Sequence, residues 1–461
     1  TVARDDFTND HDVAGGPAAP DVTFWRLLKA RSPVLTNRPV RVISGEIISG
    51  RFVPRERLHY LIERFEGPDR SGQVKLRLTD ALVRTDNRKA QAPWAGTGTL
   101  RDPLAVGQIV AHIVPTQAAD DYPVTGFLRI GDGKEIIAFT RQGDALQLGR
   151  GLFGSTQEAY EAGDAIQEIT VFQDATLADT VARLLIDYAR IDPALIDLAA
   201  WTAENTAWLA TFRLNAIIWD PTGVGKLLQE LTSQFPFTIF YDPRVPAIRF
   251  EAIKPPAFAG VRQLNERQHL LADSIAVTEN PDNRVSQIWF YYGLKDPSES
   301  GDDPRHYSRL TPFIDRGAET LYGGERRIRK VFSRWLTPDA APVVEAIGER
   351  MLLRLRTDQR IVQFQLDAKD RDIWIGDTVE LTTDHIVDEN GNPRPTVAQV
   401  IEAKEQRAGT TFAYQAEDLL LQRRFGLYAP DDVPDYPVAS PEQRQRYVFY
   451  ANDDGLINGG T

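Results

Sequence analysis

The sequence predicts an α+β, β-rich chain made of several small β-barrel or sandwich domains with an α+β module between them. Segments in which apolar and polar residues alternate recur in residues 39–170 and after residue 360, the pattern of half-buried strands. In residues 171–255 apolar side chains instead recur at helical spacing. Clusters of Gly, Pro, Asn and Asp separate these runs and indicate turns. With 461 residues, the chain is long enough for about three domains.

Composition excludes several classes of function. A hydrophobic content of 42% and a charged content of 26% are typical of a globular protein. The net charge of −12 argues against specific nucleic-acid binding, which needs clustered Lys and Arg. The absence of cysteine removes disulfides, thiolate nucleophiles and cysteine-ligated metals. No apolar run has the length of a bilayer span, and residues 1–12 are polar, so neither stable membrane insertion nor a signal peptide is expected.

The first part of the chain is predicted to be an arm followed by a β-rich domain. Residues 1–38 contain a patch rich in Gly and Pro between short segments, which is typical of an arm that orders against a neighbouring subunit. Residues 39–170 are predicted as a β-rich domain with an inserted β subdomain. Residues 40–46 and 73–78 alternate like strands, and residues 67–72 carry the Gly, Pro and Asp of a turn before the second of them.

Residues 171–255 are predicted to form the α+β module. Thr176 has the position of a helix N-cap, with the acidic Asp179 three residues later. Asp192 and Pro193 are predicted to cap a second short helix, with proline at its first position. A further helix is predicted to begin at residues 220–222 and to carry one apolar face, made of Val224, Leu227, Leu228, Leu231 and Phe235. Residues 237–241 and 247–253 are predicted to pair as a hairpin.

The remaining residues are predicted to return to strands around one long helix. In residues 256–335, the run 284–292 is apolar on both faces, which indicates a central or interface strand. In residues 336–430 a helix is predicted over 336–355, with Thr337 as N-cap and Pro338 at the first helical position. Four strands that suggest a small barrel or sandwich follow it, at 361–366, 378–383, 397–403 and 410–415. Residues 431–461 are predicted as a C-terminal linker or interface segment.

Residues 149–164 form the most distinctive local segment. It contains four glycines, at Gly149, Gly151, Gly154 and Gly163, and strand-like runs at 135–140 and 166–169 flank it. Glycine clusters mark positions where the backbone needs a positive φ or a close approach. From the residues alone, the segment is interpreted as a turn system inside a β-rich domain.

Two acidic clusters are candidate chemical sites. The first cluster consists of Asp367, Asp370, Asp372 and Asp377. Paired carboxylates can catalyse glycoside hydrolysis. Acids on and between strands are commonly solvated, however, and the solvated interpretation is preferred for this cluster. The second cluster is a loop that comprises Asp388, Glu389, Asn390, Gly391 and Asn392. Its carboxylate and amide oxygens could bind calcium, but the loop lacks the acidic series of an EF-hand. It is therefore interpreted as a hairpin turn. No catalytic residue, metal or cofactor is therefore predicted.

Three other features of the sequence do not match the residue patterns of phosphate, metal or sugar sites. Gly225 and Lys226 resemble part of a phosphate loop, but Leu227 stands where the Ser or Thr is needed. The six histidines are scattered and lack ligand spacing. The tryptophans are interpreted as core or subunit contacts rather than a sugar site, namely Trp25, Trp94, Trp201, Trp208, Trp219, Trp289, Trp335 and Trp374.

Several segments resemble, in chain order, the tail-tip or baseplate hub proteins of tailed bacteriophages, a family of siphophage and gene-transfer-agent-like tail proteins. In residues 149–164 the resemblance lies in an Arg-Gly start, a Gly-Ser step and an Ala-Gly-Asp end. The other resembling segments are residues 3–12, 23–25, 62–69, 72–74, 79–82, 201–209, 221–224, 227–228, 332–336, 376–379 and 447–455. The resemblance to this family rests on the order of these segments, which extend along most of the chain.

The resemblance implies a non-enzymatic structural protein of the virion. Such a hub closes the tail tube, connects it to receptor-binding or penetration proteins, and opens for DNA ejection. The implied partners are further copies of the chain in a homotrimer, a distal tail protein, the tail tube, a tape measure protein and receptor-binding or fibre proteins. Some relatives hold an iron–sulfur cluster through cysteines, which this sequence lacks. The alternative is a tail-associated cell-wall glycan hydrolase or glycan-binding protein, which predicts a concave pocket with acids and aromatic residues.

Overall fold

A computed structural model describes most of the chain. The described residues are 2–4, 24–69, 73–254, 261–357, 359–388, 390–407 and 409–418, with short segments at 427–428, 434, 438–441, 443, 447–448, 450–451 and 457–458. The arm predicted over 1–38 and the segment predicted over 431–461 lie mostly outside these residues. The chain divides into two compact units. The first is Thr1–Ile253 with Phe290–Thr311 and Lys330–Ile347, and the second is Lys254–Trp289 with Pro312–Arg329 and Gly348–Thr461.

The N-terminal region is built of antiparallel strands, as predicted. A short helix, α1 (Phe24–Arg31), precedes most of them. The strands are β1 (Val2–Arg4), β2 (Pro39–Ile48), β3 (Arg51–Glu66), β4 (Gln73–Thr79), β5 (Gln91–Ala92), β6 (Thr99–Leu100), β7 (Val110–Val114), β8 (Thr125–Ile130), β9 (Ile137–Gln142), β10 (Ala145–Gly149) and β11 (Ile166–Ala175). One sheet has the order β1-β4-β3-β2. Alternate residues of β7, β8 and β10 are buried in one apolar core, for example Ile113, Leu128 and Leu146.

The α+β module contains the predicted helix after Thr176 and the predicted helix with one apolar face, but the latter begins at Val224 and not at residues 220–222, which lead into a short strand. Its elements are α2 (Leu177–Arg183), continued by a π-helical turn (Leu184–Tyr188), α3 (Leu198–Trp208), β12 (Leu214–Ile218), β13 (Thr222–Gly223), α4 (Val224–Gln234), β14 (Phe237–Asp242) and β15 (Ala247–Ala252). The predicted N-cap is confirmed, because the Thr176 hydroxyl accepts a hydrogen bond from the Asp179 N–H at 3.0 Å. The predicted apolar face of α4 is buried, and β14 pairs with β15 as a hairpin.

The module shares a sheet with the β-rich region. Strand β12 pairs with β11, and the seven-stranded sheet runs β12-β11-β8-β9-β10-β7-β6. The boundary predicted between residues 170 and 171 therefore falls inside a continuous strand, β11.

The second unit contains a six-stranded sheet of order β16-β22-β23-β24-β21-β17. Its strands are β16 (Arg262–Asn265), β17 (Ala276–Asn280), β21 (Gln359–Asp367), β22 (Thr378–Thr382), β23 (Thr396–Arg407) and β24 (Thr411–Asp418). All four strands predicted after residue 360 are present and belong to this one sheet. Its buried residues, such as Phe364, Leu381 and Val400, form a continuous apolar core.

A further sheet has the order β19-β18-β20, formed by β18 (Gln287–Leu294), β19 (Tyr307–Ile314) and β20 (Ile328–Ser333). The central position of β18 agrees with the sequence prediction of a strand that is apolar on both faces. A short helix, α5 (Arg316–Leu321), follows β19. Four short strands lie near the C-terminus: β25 (Leu427–Tyr428), β26 (Tyr447–Val448), β27 (Tyr450–Ala451) and β28 (Ile457–Asn458). With strands at 41% of the structure and helices at 23%, the β-rich α+β class is confirmed.

The long helix begins later than the sequence predicts. It is α6 (Ala341–Leu355), so its end is as predicted but its start at residues 336–338 is wrong. Thr337 instead opens a turn, in which its carbonyl accepts from the Ala340 N–H at 3.1 Å. The reason is Pro342, which has no N–H and is tolerated only in the first turn of a helix. Among the helices of the described residues, none combines the length and apolar character needed to cross a bilayer.

One glycine of α6 makes a close contact that can be tested. A Cβ atom on Gly348 would lie 2.1 Å from Cε2 of Phe313, a buried ring in the second unit. In an open helix position Gly→Ala stabilises by up to ~1 kcal/mol. Here Gly348→Ala is expected to lower the free energy of unfolding by about 1–3 kcal/mol through overpacking, measured by urea denaturation. Adding Phe313→Leu should recover part of the loss, whereas a more stable Gly348→Ala protein would contradict the contact.

Candidate functional site

The glycine-rich segment closes around a buried ion pair between Glu135 and Arg150. Arg150 Nε lies 2.7 Å from one carboxylate oxygen of Glu135, and Arg150 Nη2 lies 2.7 Å from the other. The two side chains are 0% and 1% exposed. This bidentate geometry is the strong form of an arginine–carboxylate pair. Because an isolated charge is very unfavourable in a protein interior, each side chain requires the other.

The Glu135 carboxylate is saturated by further donors from the same segment. It accepts hydrogen bonds from the backbone N–H groups of Gly151 at 2.8 Å and Glu158 at 3.0 Å, and from the Tyr160 hydroxyl at 3.2 Å. Burial acts to raise the pKa of Glu135, but the hydrogen bonds and charge of Arg150 and the backbone donors outweigh it and lower that pKa. The acid is therefore ionised and fully engaged within the fold, so it has a structural role.

The Arg150 guanidinium ties several chain segments together. It donates to the backbone carbonyls of Ala105 at 3.3 Å and Gln108 at 3.0 Å, in addition to Glu135. Its guanidinium carbon also lies 5.6 Å from the centre of the Tyr160 ring. One side chain thus joins the loop before β7, the approach to β9 and the glycine-rich segment.

Backbone geometry explains the glycines in this segment. Gly151 has φ 67° and Gly163 has φ 95°, values that favour glycine because other residues clash there. The Gly163 N–H donates to the Leu100 carbonyl at 2.8 Å, and Tyr160 and Leu104 exchange two backbone hydrogen bonds of 2.9 Å. The turn interpretation from the sequence is thus confirmed. Nothing local in the sequence indicates Glu135 as the partner of Arg150, since Glu135 lies in an ordinary strand-like run.

The four acids from Asp367 to Asp377 are used mainly within the fold. Asp370 is buried, and one of its oxygens lies 2.5 Å from Nη2 of Arg262. Asp367 accepts from the backbone N–H two residues later at 2.9 Å, and Asp377 accepts from the N–H three residues earlier at 2.7 Å. Asp372 is exposed, 3.9 Å from the same arginine. These contacts support the structural interpretation over a catalytic pair.

The acidic loop at residues 388–392 forms a tight turn. Asp388 accepts hydrogen bonds from the backbone N–H groups of Asn390 at 2.8 Å and Asn392 at 2.9 Å, and these donors lower its pKa. Gly391 has φ 82°. Glu389 lies outside the described residues. Within the part of the chain that the structure describes, no group of three or more His, Asp or Glu side chains is placed to hold a metal ion.

The β2–β3 hairpin carries an exposed apolar tip. Ile47 and Phe52 are directly opposite each other across the two strands, so their side chains share a face. They are 77% and 56% exposed. A Cβ on Gly45 would lie 2.9 Å from Cζ of Phe52, so the ring lies against this glycine. Exposed apolar side chains that lie together are typical of a surface used in assembly.

The tryptophans are core residues in three of eight cases, whereas Trp25, Trp94, Trp289 and Trp374 are only partly buried. Trp201, Trp219 and Trp335 are buried. Trp208, by contrast, is 49% exposed at the end of α3.

Comparison with known proteins finds similarity only among solved structures. No protein-family model and no curated protein matches the chain. The chain is similar to tail proteins of prophages and to a gene transfer agent virion. The prophage tail protein gp18 from Listeria monocytogenes EGD-e is 10% identical over 83% of this chain and 86% of its own, with a TM-score of 0.36. The tail protein from Neisseria meningitidis MC58 is 12% identical over 82% and 97%, with a TM-score of 0.36.

The virion of a native gene transfer agent particle gives a further match. It is 12% identical over 83% of both chains, with a TM-score of 0.34. Similarities at this level of identity and TM-score describe a resemblance to these proteins.

The buried ion pair predicts unequal effects of single and double substitution. Arg150→Met is expected to lower the free energy of unfolding by about 3–5 kcal/mol, because it leaves a buried carboxylate without its counter-charge. Combining it with Glu135→Gln should cost less than the sum of the two single changes. Denaturant unfolding measures each value. Arg305→Met, which breaks an exposed pair with Asp303, is the matched control and should change little.

The same pair predicts a pH dependence with a defined sign. The pKa of Glu135 is lowered by folding, so its stabilising contribution is present above about pH 4.5 and is lost as the pH falls through the folded-state value. The stability difference between the wild type and Glu135→Gln should therefore shrink on acidification, measured by urea unfolding between neutral and acidic pH. A difference that grows as the pH falls would contradict this assignment.

Proposed function

We propose that the chain is a structural protein of a bacteriophage-type tail, located in the virion at the tail tip. As a baseplate hub it closes the tail tube, connects it to receptor-binding or penetration proteins, and opens for DNA ejection. Its partners are further copies of itself in a homotrimer, a distal tail protein, the tail tube, a tape measure protein and receptor-binding or fibre proteins. The ordered series of tail-protein-like segments along the sequence supports this proposal.

The glycine-rich segment at residues 149–164 supports the structural part of the proposal, because its contacts are made within the fold. In residues 149–164, Arg150 is directed inward and meets Glu135, while the glycines meet backbone requirements. A segment of this kind maintains a shape and leaves no charged group of the pair free to react. The acids that could have indicated hydrolysis, such as Asp370 and Asp377, are likewise engaged in internal contacts.

The β2–β3 hairpin supports assembly with another copy of the chain. Its tip exposes Ile47 and Phe52. The charges beside them are of both signs, since Arg55 is paired with Glu46 of the same hairpin at 3.0 Å. Burial of the two apolar side chains against a second copy provides the driving force for assembly.

Assembly gives a direct test. The purified chain is expected to have a solution mass three times its 51.7 kDa monomer mass, measured by light scattering. The double substitution Ile47→Ser with Phe52→Ser should shift the population toward monomer, since it removes the apolar contact. Val245→Ser is the control, because Val245 is similarly exposed (56%) but lies in another hairpin turn. A stable monomer of the wild type at high concentration would count against the hub.

The enzymatic alternative has a separate test. Purified peptidoglycan is expected to remain intact on incubation with the wild-type chain, measured by release of soluble sugar fragments. Sustained release that is lost on replacing Asp367, Asp370, Asp372 and Asp377 by Asn would contradict a purely structural function. Circular dichroism of the substituted protein controls for folding, since Asp370 forms a buried contact with Arg262.

A further inference from the structure

A cavity of about 580 Å³ lies in the first unit, and its residues are drawn from β8, β9, β11 and the π-helical turn that follows α2. This volume is within the range of about 300–1,000 Å³ typical of small-molecule sites. Aromatic side chains form much of its wall, including Trp94, Phe127 and Tyr188. A π-helical turn is a rare element that often accompanies a functional site.

An acid without a protein partner lies in the wall of this cavity. Glu168 is only 8% exposed, and among the described residues its carboxyl group has no hydrogen-bond partner. Burial raises the pKa of Glu168 to about 7, against the opposing effect of the Arg183 charge. The carboxylate oxygens of Glu168 are not among the fully buried atoms that lack a partner, so they are accessible to a group that enters the cavity. Glu168 thus differs from Glu135, whose carboxylate is saturated.

The aromatic walls are held in place by the surrounding structure. The Trp94 and Tyr188 rings meet edge to face with centroids 6.1 Å apart. The Trp94 carbonyl accepts from Gln167 Nε2 at 2.7 Å, and the Tyr188 hydroxyl lies 2.8 Å from the Thr170 hydroxyl. The Arg190 guanidinium stacks 4.6 Å from the centre of the Trp94 ring. Walls that are fixed before binding reduce the entropy that a ligand must overcome.

The charges around the cavity indicate a neutral ligand. Arg183 and Asp187 also contribute to its lining, with Nε and carboxylate oxygen 3.9 Å apart. Arg183 opposes the binding of a cation, and Asp187 opposes that of an anion. A ligand with hydroxyl groups and apolar C–H faces avoids both effects. It can hydrogen-bond to Glu168 and lie against the aromatic rings.

We propose that this cavity is a binding site for a saccharide ring, in which Trp94 and Tyr188 provide apolar faces and Glu168 bonds a hydroxyl group. The proposal concerns binding only and does not depend on the assembly or location of the chain. A structural tail protein and a protein of any other location could both carry it.

Titration of the full-length chain with chitotriose, maltotriose and galactobiose tests the proposal. Binding is followed by saturation-transfer NMR and by tryptophan fluorescence. At least one saccharide is expected to bind saturably, and Trp94→Ala should weaken it by about tenfold or more, the effect of losing one good contact. Trp208→Ala is the control, because Trp208 is outside the lining and should leave the affinity unchanged. Thermal unfolding of each variant verifies folding.

A second variant keeps the proposal testable if Trp94→Ala is unstable. Glu168→Gln retains the shape and hydrogen-bonding capacity of the side chain but cannot ionise. The wild-type affinity should change near pH 7, while that of Glu168→Gln should be constant with pH. Absence of saturable binding to all three saccharides, binding that neither cavity variant alters, or preferential binding of choline would each overturn the proposal.

Discussion

The ion pair between Glu135 and Arg150 is the interaction on which the architecture of the β-rich region depends. Two opposite charges with essentially no solvent contact are stable only while their mutual geometry is maintained. That geometry requires the backbone N–H of Gly151 and the hydroxyl of Tyr160 to approach the carboxylate. The positive φ of Gly151 and the close packing of the segment follow from this requirement. The glycine cluster at residues 149–164, the most distinctive local feature of the sequence, thus surrounds the buried ion pair between Glu135 and Arg150.

The fold was predictable where local pattern and tertiary environment agree. The apolar stripe of α4 and the N-cap at Thr176 are local features, and both were predicted correctly. The start of α6 was predicted wrongly because Thr337 and Pro338 are a strong local start signal, whereas Pro342 imposes a later one. The two prolines lie four residues apart, and the requirement for hydrogen-bonded N–H groups decides which of them begins the helix.

The candidate sites were less predictable because their contacts join distant parts of the sequence. The glycines of residues 149–164 indicated a turn, but nothing local distinguishes Glu135 from other strand acids. Asp370 meets Arg262, more than a hundred positions earlier in the chain. Alternation predicts that a strand has an apolar face, yet it does not show that Ile47 and Phe52 are left exposed among the residues that the structure describes. The cavity beside Glu168 was likewise not predictable from local sequence, since its walls come from separate strands and a helix.

The contrast between Glu135 and Glu168 distinguishes a structural role from the proposed binding role. Both acids lie on or beside strands of the same sheet and both are buried, but only Glu135 has an arginine within hydrogen-bonding distance. Folding consequently shifts their pKa values in opposite directions, downward for Glu135 and upward for Glu168. A saturated carboxylate contributes to shape, which a structural assembly requires. An unsaturated one beside fixed aromatic rings retains a capacity for hydrogen bonding that the fold itself does not use, and a ligand is the natural partner for it.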